Sequence, residues 1–249
     1  MFPLLWMVIS SFKTQADNMS VPPVIIFQPT VQNYINVISD NPFLQYTFNS
    51  FYVAIFATGL ALVFGLPVAY YIARFKCKKL AIAILLSRMM PGISYLVPWF
   101  ILFSRLRLVG TYTGLIFTHL TVTLPLVIWI MIGFFEDIPK SYEEAAFLDG
   151  ASDLTCFFRI MLPLVKPGLV SSGILTFIQS WNTFMYSVVM ANHNTQTLPV
   201  AVFNFLSYGG IDWGGLTAAA TLITLPVLVL ALLIQRHLVS GLTFGGIKG

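Results

Sequence analysis

Charge is scarce in this chain. Asp, Glu, Lys and Arg together make up 9% of its 249 residues, whereas soluble domains carry about a quarter. That deficit excludes an ordinary soluble domain, and the 57% hydrophobic content leaves a polytopic α-helical membrane protein. The alternating ten-residue segments of a membrane β-barrel are missing too, because the apolar stretches are long and continuous. Cysteine is limited to Cys77 and Cys156, both in segments assigned below to the cytoplasm, so neither a structural disulfide nor a metal site is expected. His119, His193 and His237 stand far apart without ligand spacing. The thirteen basic residues form no basic face, so the net charge of +4 does not point to nucleic acid. No G-x-x-x-x-G-K-[ST] occurs, which leaves the chain without a phosphate loop of its own.

What is abundant is apolar sequence. The runs at 46–74, 80–104, 113–135, 166–190 and 217–235 each have about the length a helix needs to cross 30 Å of hydrocarbon. Residues 1–12 would rise only about 18 Å. They are read as the outer part of a further span whose beginning lies outside the sequence, giving six spans with the first truncated. Residues 14–42, interrupted by Pro22, Pro23 and Pro29, are expected as an external loop. The connection after the 46–74 run carries Arg74, Lys76, Lys78 and Lys79 and marks the cytoplasmic side. The resulting topology puts nine of the thirteen basic residues, and both termini, in the cytoplasm. Gly59, Gly65 and several prolines fall inside spans, where small residues allow close helix approach and neighbours satisfy freed backbone groups.

One long interval is polar. Residues 141–163 and the positions just before them hold six of the nine acidic residues: Glu136, Asp137, Glu143, Glu144, Asp149 and Asp153. Ser141-x-x-Glu144 has capping-box spacing, so a short helix is expected from Tyr142 to a left-handed terminator at Gly150. Tyr142, Ala145, Ala146 and Asp149 would share one face, where two alanines admit the backbone of another protein. Ser152 or Asp153 would cap a second helix that anchors through a stripe of Leu154, Phe157, Phe158 and Met161 and ends at Pro163. An amphipathic connector lying on lipid usually presents Lys and Arg, whereas this face is acidic. The segment is therefore expected to dock a separate, soluble, energy-supplying subunit.

Glu144-Ala145-Ala146, three residues, Gly150, nine residues and Ile160-x-Leu162-Pro163 resemble, without a gap, the EAA loop of permease subunits in ATP-binding-cassette (ABC) importers. Several fixed positions at fixed spacing make this a specific signal. The resemblance covers most of the chain, including NSFYVAIFATGLALVFGLPVAYYIARF, the SWNTF run at 180–184 and the ending GLTFGGIKG, and is closest to the carbohydrate-uptake branch and its maltose-type second permease. It implies an all-α type I importer transmembrane domain in the inner (plasma) membrane that carries a sugar or oligosaccharide. The implied partners are a second homologous permease, two ATP-binding subunits and an extracytoplasmic solute-binding protein, besides membrane lipid. No cofactor is implied in this chain; ATP and Mg belong to the partner ATPase. The docking residues implied are Tyr142, Glu144, Ala145, Ala146, Asp149 and Gly150. The short first helix departs from the family's pattern.

Candidates for the transport path come from polarity within the spans. Arg88 lies about eight residues into its span, either snorkelling to the cytoplasmic headgroups or lining a path. Trp181, Asn182 and Tyr186 follow Gln179 and Ser180 at bilayer depth, as a sugar path or as interhelical hydrogen bonds. His119 is expected as a packed helix residue. The external segment around Phe205, Tyr208, Gly209 and Gly210 is a candidate contact for the binding protein, with a plain surface loop as the other reading. Polyols and glycerol phosphate esters remain open as substrates. A secondary transporter driven by an ion gradient is the alternative from another class, although apart from Arg88 the spans hold no charged residue inside their cytoplasmic end residues Arg74 and Lys166. A membrane enzyme has no acid, base or metal constellation to work with.

Overall fold

The computed structural model describes residues 2–207 and 210–244, without the side chains of Asn204, Ser207 and residues 235–244. Helices run in the order α1 (Phe2–Ser11), α2 (Gln15–Met19), α3 (Gln32–Ser39), α4 (Phe43–Phe75), α5 (Lys78–Met89), α6 (Ile93–Arg105), α7 (Tyr112–Glu136) and α8 (Ser141–Leu148). Then come α9 (Asp153–Cys156), a π-helical turn (Phe157–Met161), α10 (Leu162–Leu164), α11 (Lys166–Trp181), α12 (Met185–Met190) and α13 (Leu198–Ala201). A 3₁₀ turn (Val202–Phe205) leads into β1 (Leu206–Ser207) and β2 (Gly210–Ile211), and α14 (Trp213–Phe244) follows. The two short strands pair antiparallel, with Leu206 opposite Ile211.

The bundle is organised on α4 and α7. The 33 residues of α4 rise about 50 Å, well beyond the hydrocarbon thickness. Small residues recur along one of its faces at Ala54, Ala57, Ala61, Gly65, Ala69 and Ala73, and the five alanines are at most 5% exposed. This four-residue spacing brings the two backbones together, because lipid-embedded helices associate through packing and not through a hydrophobic drive. At Gly65 a Cβ would stand 2.9 Å from Val127 Cγ1, so the closest approach requires glycine. At Gly59 a Cβ would meet nothing within 4 Å, so the expectation of close approach there does not hold. Val127, Ile128, Met131, Ile132 and Phe135 complete the core from the α7 side.

Among the described residues, three helices are long and apolar enough to cross a membrane: α4, α7 and the Trp213–Ile234 part of α14. The run expected as one helix at 80–104 is instead two, α5 and α6, meeting at 93°. Pro91 explains the break, since it has no N–H to give the Ser87 carbonyl. The Tyr95 hydroxyl donates to that carbonyl at 3.2 Å, bridging the bend from the other side. The run at 166–190 is also interrupted, stopping at Trp181 and resuming at Met185. There the Thr183 hydroxyl donates to the Gln179 carbonyl at 2.8 Å, the local competition by which Thr and Asn loosen a helix. A third bend, of 78°, separates Asp153–Leu164 from Lys166–Trp181. It falls at Val165, so Pro163 does not end the segment as expected; a π turn precedes the proline and the helix passes through it.

The expected loop at 14–42 contains two short helices, α2 and α3. Lys13 anchors its start. It is 1% exposed, donates to the Val24 carbonyl at 2.6 Å and lies 4.4 Å from the Trp6 ring centroid.

Candidate functional site

Helix α8 begins one residue earlier than the capping box predicts. Lys140 is already helical in backbone angles, its carbonyl accepts from the amides of Glu143 and Glu144, and no side chain caps the end. Ser141 and Glu144 therefore do not form the reciprocal cap. The far end agrees with expectation: Gly150 has φ +82°, its N–H reaches the Phe147 carbonyl and the Ala151 N–H reaches that of Ala146. Those two bonds make a Schellman termination, which needs the left-handed residue.

The rotation of α8 separates the two alanines. Ala146 is 5% exposed and packs in the α4–α7 core, while Ala145 faces outward with Tyr142, Glu144 and Asp149. The expected common face therefore lacks Ala146. The anchoring stripe divides in the same way, because Phe157 and Met161 are buried but Leu154 and Phe158 are 70% and 60% exposed. Cys156, missing from the stripe, is fully buried in their place. Burial pushes its thiol pKa up, and the nearby Glu143 charge adds to the effect. With Leu148 at 89% exposure, Leu154 and Phe158 give this end of the molecule an apolar outer surface beside the acidic one.

Residues that the sequence gave no reason to join hold the bracket to the bundle. The Arg74 Nε donates to Glu143 Oε1 at 2.7 Å, with both side chains 9% exposed. The same guanidinium donates to the Ile138 carbonyl at 3.2 Å and approaches the Met161 sulfur at 3.9 Å. Tyr70 lies over it, 5.8 Å from its ring centroid, and also packs on Phe135 and Phe157. One side chain at the end of α4 thus ties together α8, the turn after α7 and the π turn. Arg74 had carried only topological meaning as a loop cation, and Glu143 only acidity.

A polar cavity of about 280 Å³ lies where the two broken spans meet. Ser87, Arg88, Met90, Gly92 and Tyr95 line it from α5, α6 and the bend; Thr121, Val122 and Leu126 come from α7, and Gln179 and Tyr186 from the second break. Thr121 and Leu126 are nine and ten residues from the two ends of α7, each about 14–15 Å along the helix, so the cavity is near mid-span. Of the four path candidates, Arg88 and Tyr186 come together here. Trp181 does not, being 1% exposed with its indole N–H donating to the Ile223 carbonyl at 3.2 Å and its ring against Phe51 and Phe177. Asn182 is exposed at the helix end and does not line the cavity. His119, buried as expected, spans the second break by contacts of 2.8 Å to Ser180 Oγ and 3.3 Å to Ser187 Oγ.

The end of the bundle away from α8 is clamped by the first turns of α4. Fully buried Asn49 donates to the carbonyls of Asn194 and Gln196 at 2.9 and 2.8 Å and accepts from the Tyr112 hydroxyl at 2.7 Å, while Ser50 accepts the Leu198 amide. Phe205 sits half-buried against α14, and Gly210 opens β2 with φ +135°. Tyr208 and Gly209, proposed with them, lie outside the described residues, as does the tail 245–249.

Broken apolar helices around a mid-span polar cavity, with a short bracket fastened across one end, define a polytopic helical transport subunit. The chain belongs to the family described as binding-protein-dependent transport system inner membrane component, whose model matches residues 18–244. It is 36% identical to a probable ABC transporter permease protein of Sinorhizobium fredii, covering all of this chain and 90% of that one. It is 35% identical to the trehalose/maltose transport system permease protein of Thermococcus litoralis, covering all of this chain and 92% of the relative. Its fold is similar to a chain in the crystal structure of a bacterial ABC transporter involved in the import of the acidic polysaccharide alginate, with TM-score 0.78 and 21% identity over 94% of this chain and 89% of the other.

Proposed function

We infer that this chain is the permease subunit of an ABC importer and forms half of the translocation pathway for a sugar or oligosaccharide. Its family is binding-protein-dependent, and a relative covering its full length is named for trehalose and maltose. An extracytoplasmic binding protein delivers the solute, a second homologous permease completes the pathway, and two separate subunits bind ATP with Mg and hydrolyse it. The chain is multi-pass in the membrane, with both termini on the cytoplasmic side.

The Arg74–Glu143 ion pair carries the mechanism. Tyr142, Glu144, Ala145 and Asp149 meet the ATPase, with Leu148 and Phe158 beside them. When ATP closes the partner subunits, displacement of α8 passes through the buried ion pair to α4 and through Ala146, Cys156 and Phe157 to the core shared with α7. These contacts are short and buried, so α8 moves the spans and does not swing free of them. The bends at Pro91 and Asn182 let the spans around the cavity reorient, exposing it to one side and then the other.

Uptake of labelled neutral sugars (maltose, trehalose) and of the acidic sugar D-glucuronate into proteoliposomes holding the complete complex tests the reading, transport of any one of them sufficing. Uptake that requires ATP and the binding protein is the expected result. Accumulation driven by a proton gradient without ATP would favour the ion-driven alternative.

A further inference from the structure

Arg88 sits in the mid-span cavity with no hydrogen-bond or ion-pair partner among the described residues. Its own chain cannot supply a counter-charge there. No acidic residue occurs between Asp40 and Glu136, or between Asp153 and Asp212, so the only carboxylate on the helices lining the cavity, among the described residues, is Glu136 at the far end of α7, ten residues beyond Leu126. An uncompensated cation at bilayer depth costs about 2.5–3.5 kcal/mol on insertion scales, and such residues mark substrate or ion pathways. Two hydroxyls of the same wall are buried without a partner among the described residues: Tyr186, 3% exposed overall, and Thr121. Leaving a buried hydroxyl unpaired costs roughly 1–3 kcal/mol, and the Gln179 side chain brings a further donor. Gly92, the residue just before α6, also lines the cavity, so the positive end of that half-helix lies at its edge.

We propose that this cavity binds an anionic group of the transported solute, a carboxylate, sulfonate or phosphate on a sugar. Arg88 pairs with the anion, and the Tyr186 and Thr121 hydroxyls and the Gln179 amide orient the ring that carries it. The proposal rests on the permease reading and narrows its substrate class to acidic carbohydrates. The volume of about 280 Å³, just below the roughly 300–1,000 Å³ of ligand pockets, suits a single sugar unit. The guanidinium can grip two oxygens of one acidic group at once, which a neutral hydroxyl does not match.

The test is titration calorimetry on the complete complex in phosphatidylcholine nanodiscs, with D-glucuronate and D-glucose as probes. Glucuronate is expected to bind about tenfold tighter or more, as a charge-assisted bond implies. Arg88→Gln should remove that preference, Arg88→Lys should keep part of it, and Tyr186→Phe should weaken glucuronate about fivefold. Equal binding of the two sugars, or a preference that persists in Arg88→Gln, overturns the proposal and points to a carboxylate of the second permease as the partner of Arg88. A preference abolished by phosphatidylglycerol in the nanodisc also overturns it, assigning the site to a lipid headgroup. ATPase activity stimulated by the binding protein, read on the same wild-type nanodiscs, keeps the two readings apart. Stimulation without a glucuronate preference rejects the anionic site alone, and absent stimulation rejects the permease reading.

Discussion

Replacing Arg74 and Glu143 by methionine, singly and together, probes the strut between the bracket and the spans. Both side chains are buried, so removing one leaves the other charge uncompensated at about 3–5 kcal/mol. At roughly 2–4 °C per kcal/mol for a chain of this size, each single substitution should lower the thermal midpoint by some 6–20 °C. Arg74→Met should be the worse of the two. Glu143→Met leaves the guanidinium its bond to the Ile138 carbonyl, whereas Arg74→Met leaves a buried carboxylate with no basic partner. The double variant, an apolar pair of similar length, should recover most of the midpoint, because buried ion pairs exchange for hydrophobic residues at little cost. Recovery should not extend to coupling, which needs the directional bond. ATP hydrolysed per solute imported should rise in all three variants. Midpoint losses below about 1 °C in the single variants, or losses that simply add in the double, would refute the strut.

Three further outcomes follow from the packing. Gly65→Val places side-chain atoms where a Cβ alone is 2.9 Å from Val127, so the complex should lose about 1–3 kcal/mol of stability, measured as a lower midpoint, while Gly59→Ala should change little. Asn49→Ala removes two donors to the 194–196 backbone and the acceptor for Tyr112. It should weaken stimulation of the ATPase by the binding protein severalfold, with basal hydrolysis retained. N-ethylmaleimide should label Cys77 at neutral pH and spare Cys156. Burial and a raised pKa keep the Cys156 thiol protonated, so its labelling should rise only above the ordinary thiol range.

The end of the bracket's first helix was legible because local chemistry dictates it: a left-handed residue at Gly150 terminates a short polar helix whatever surrounds it. Its rotation was not legible. The three-and-four spacing put Ala145 and Ala146 on one face, but adjacent helical residues point about 100° apart, and with Glu143 held inward by Arg74 one alanine turns in and the other out. Glu143 and Arg74 lie 69 positions apart, and no periodicity within either helix announces such a pair. The bend at Pro91 was written in the chain but read as a tolerated interior proline. The difference lies in Tyr95, which satisfies the freed Ser87 carbonyl across the bend and makes a sharp break affordable. Trp181 misled because a tryptophan among amides looks like a sugar platform, whereas its indole is spent on the α14 backbone.

Ala145→Trp tests the central claim most directly. The side chain points outward from α8, so the substitution leaves the Schellman turn and the ion pair in place while filling the space another backbone would occupy. Co-purification of the ATP-binding subunits with the permease, scored against an unchanged permease midpoint, is the measurement. Loss of those subunits together with loss of ATP-driven uptake is predicted; full co-purification with uptake at the wild-type rate would contradict the assignment of this face.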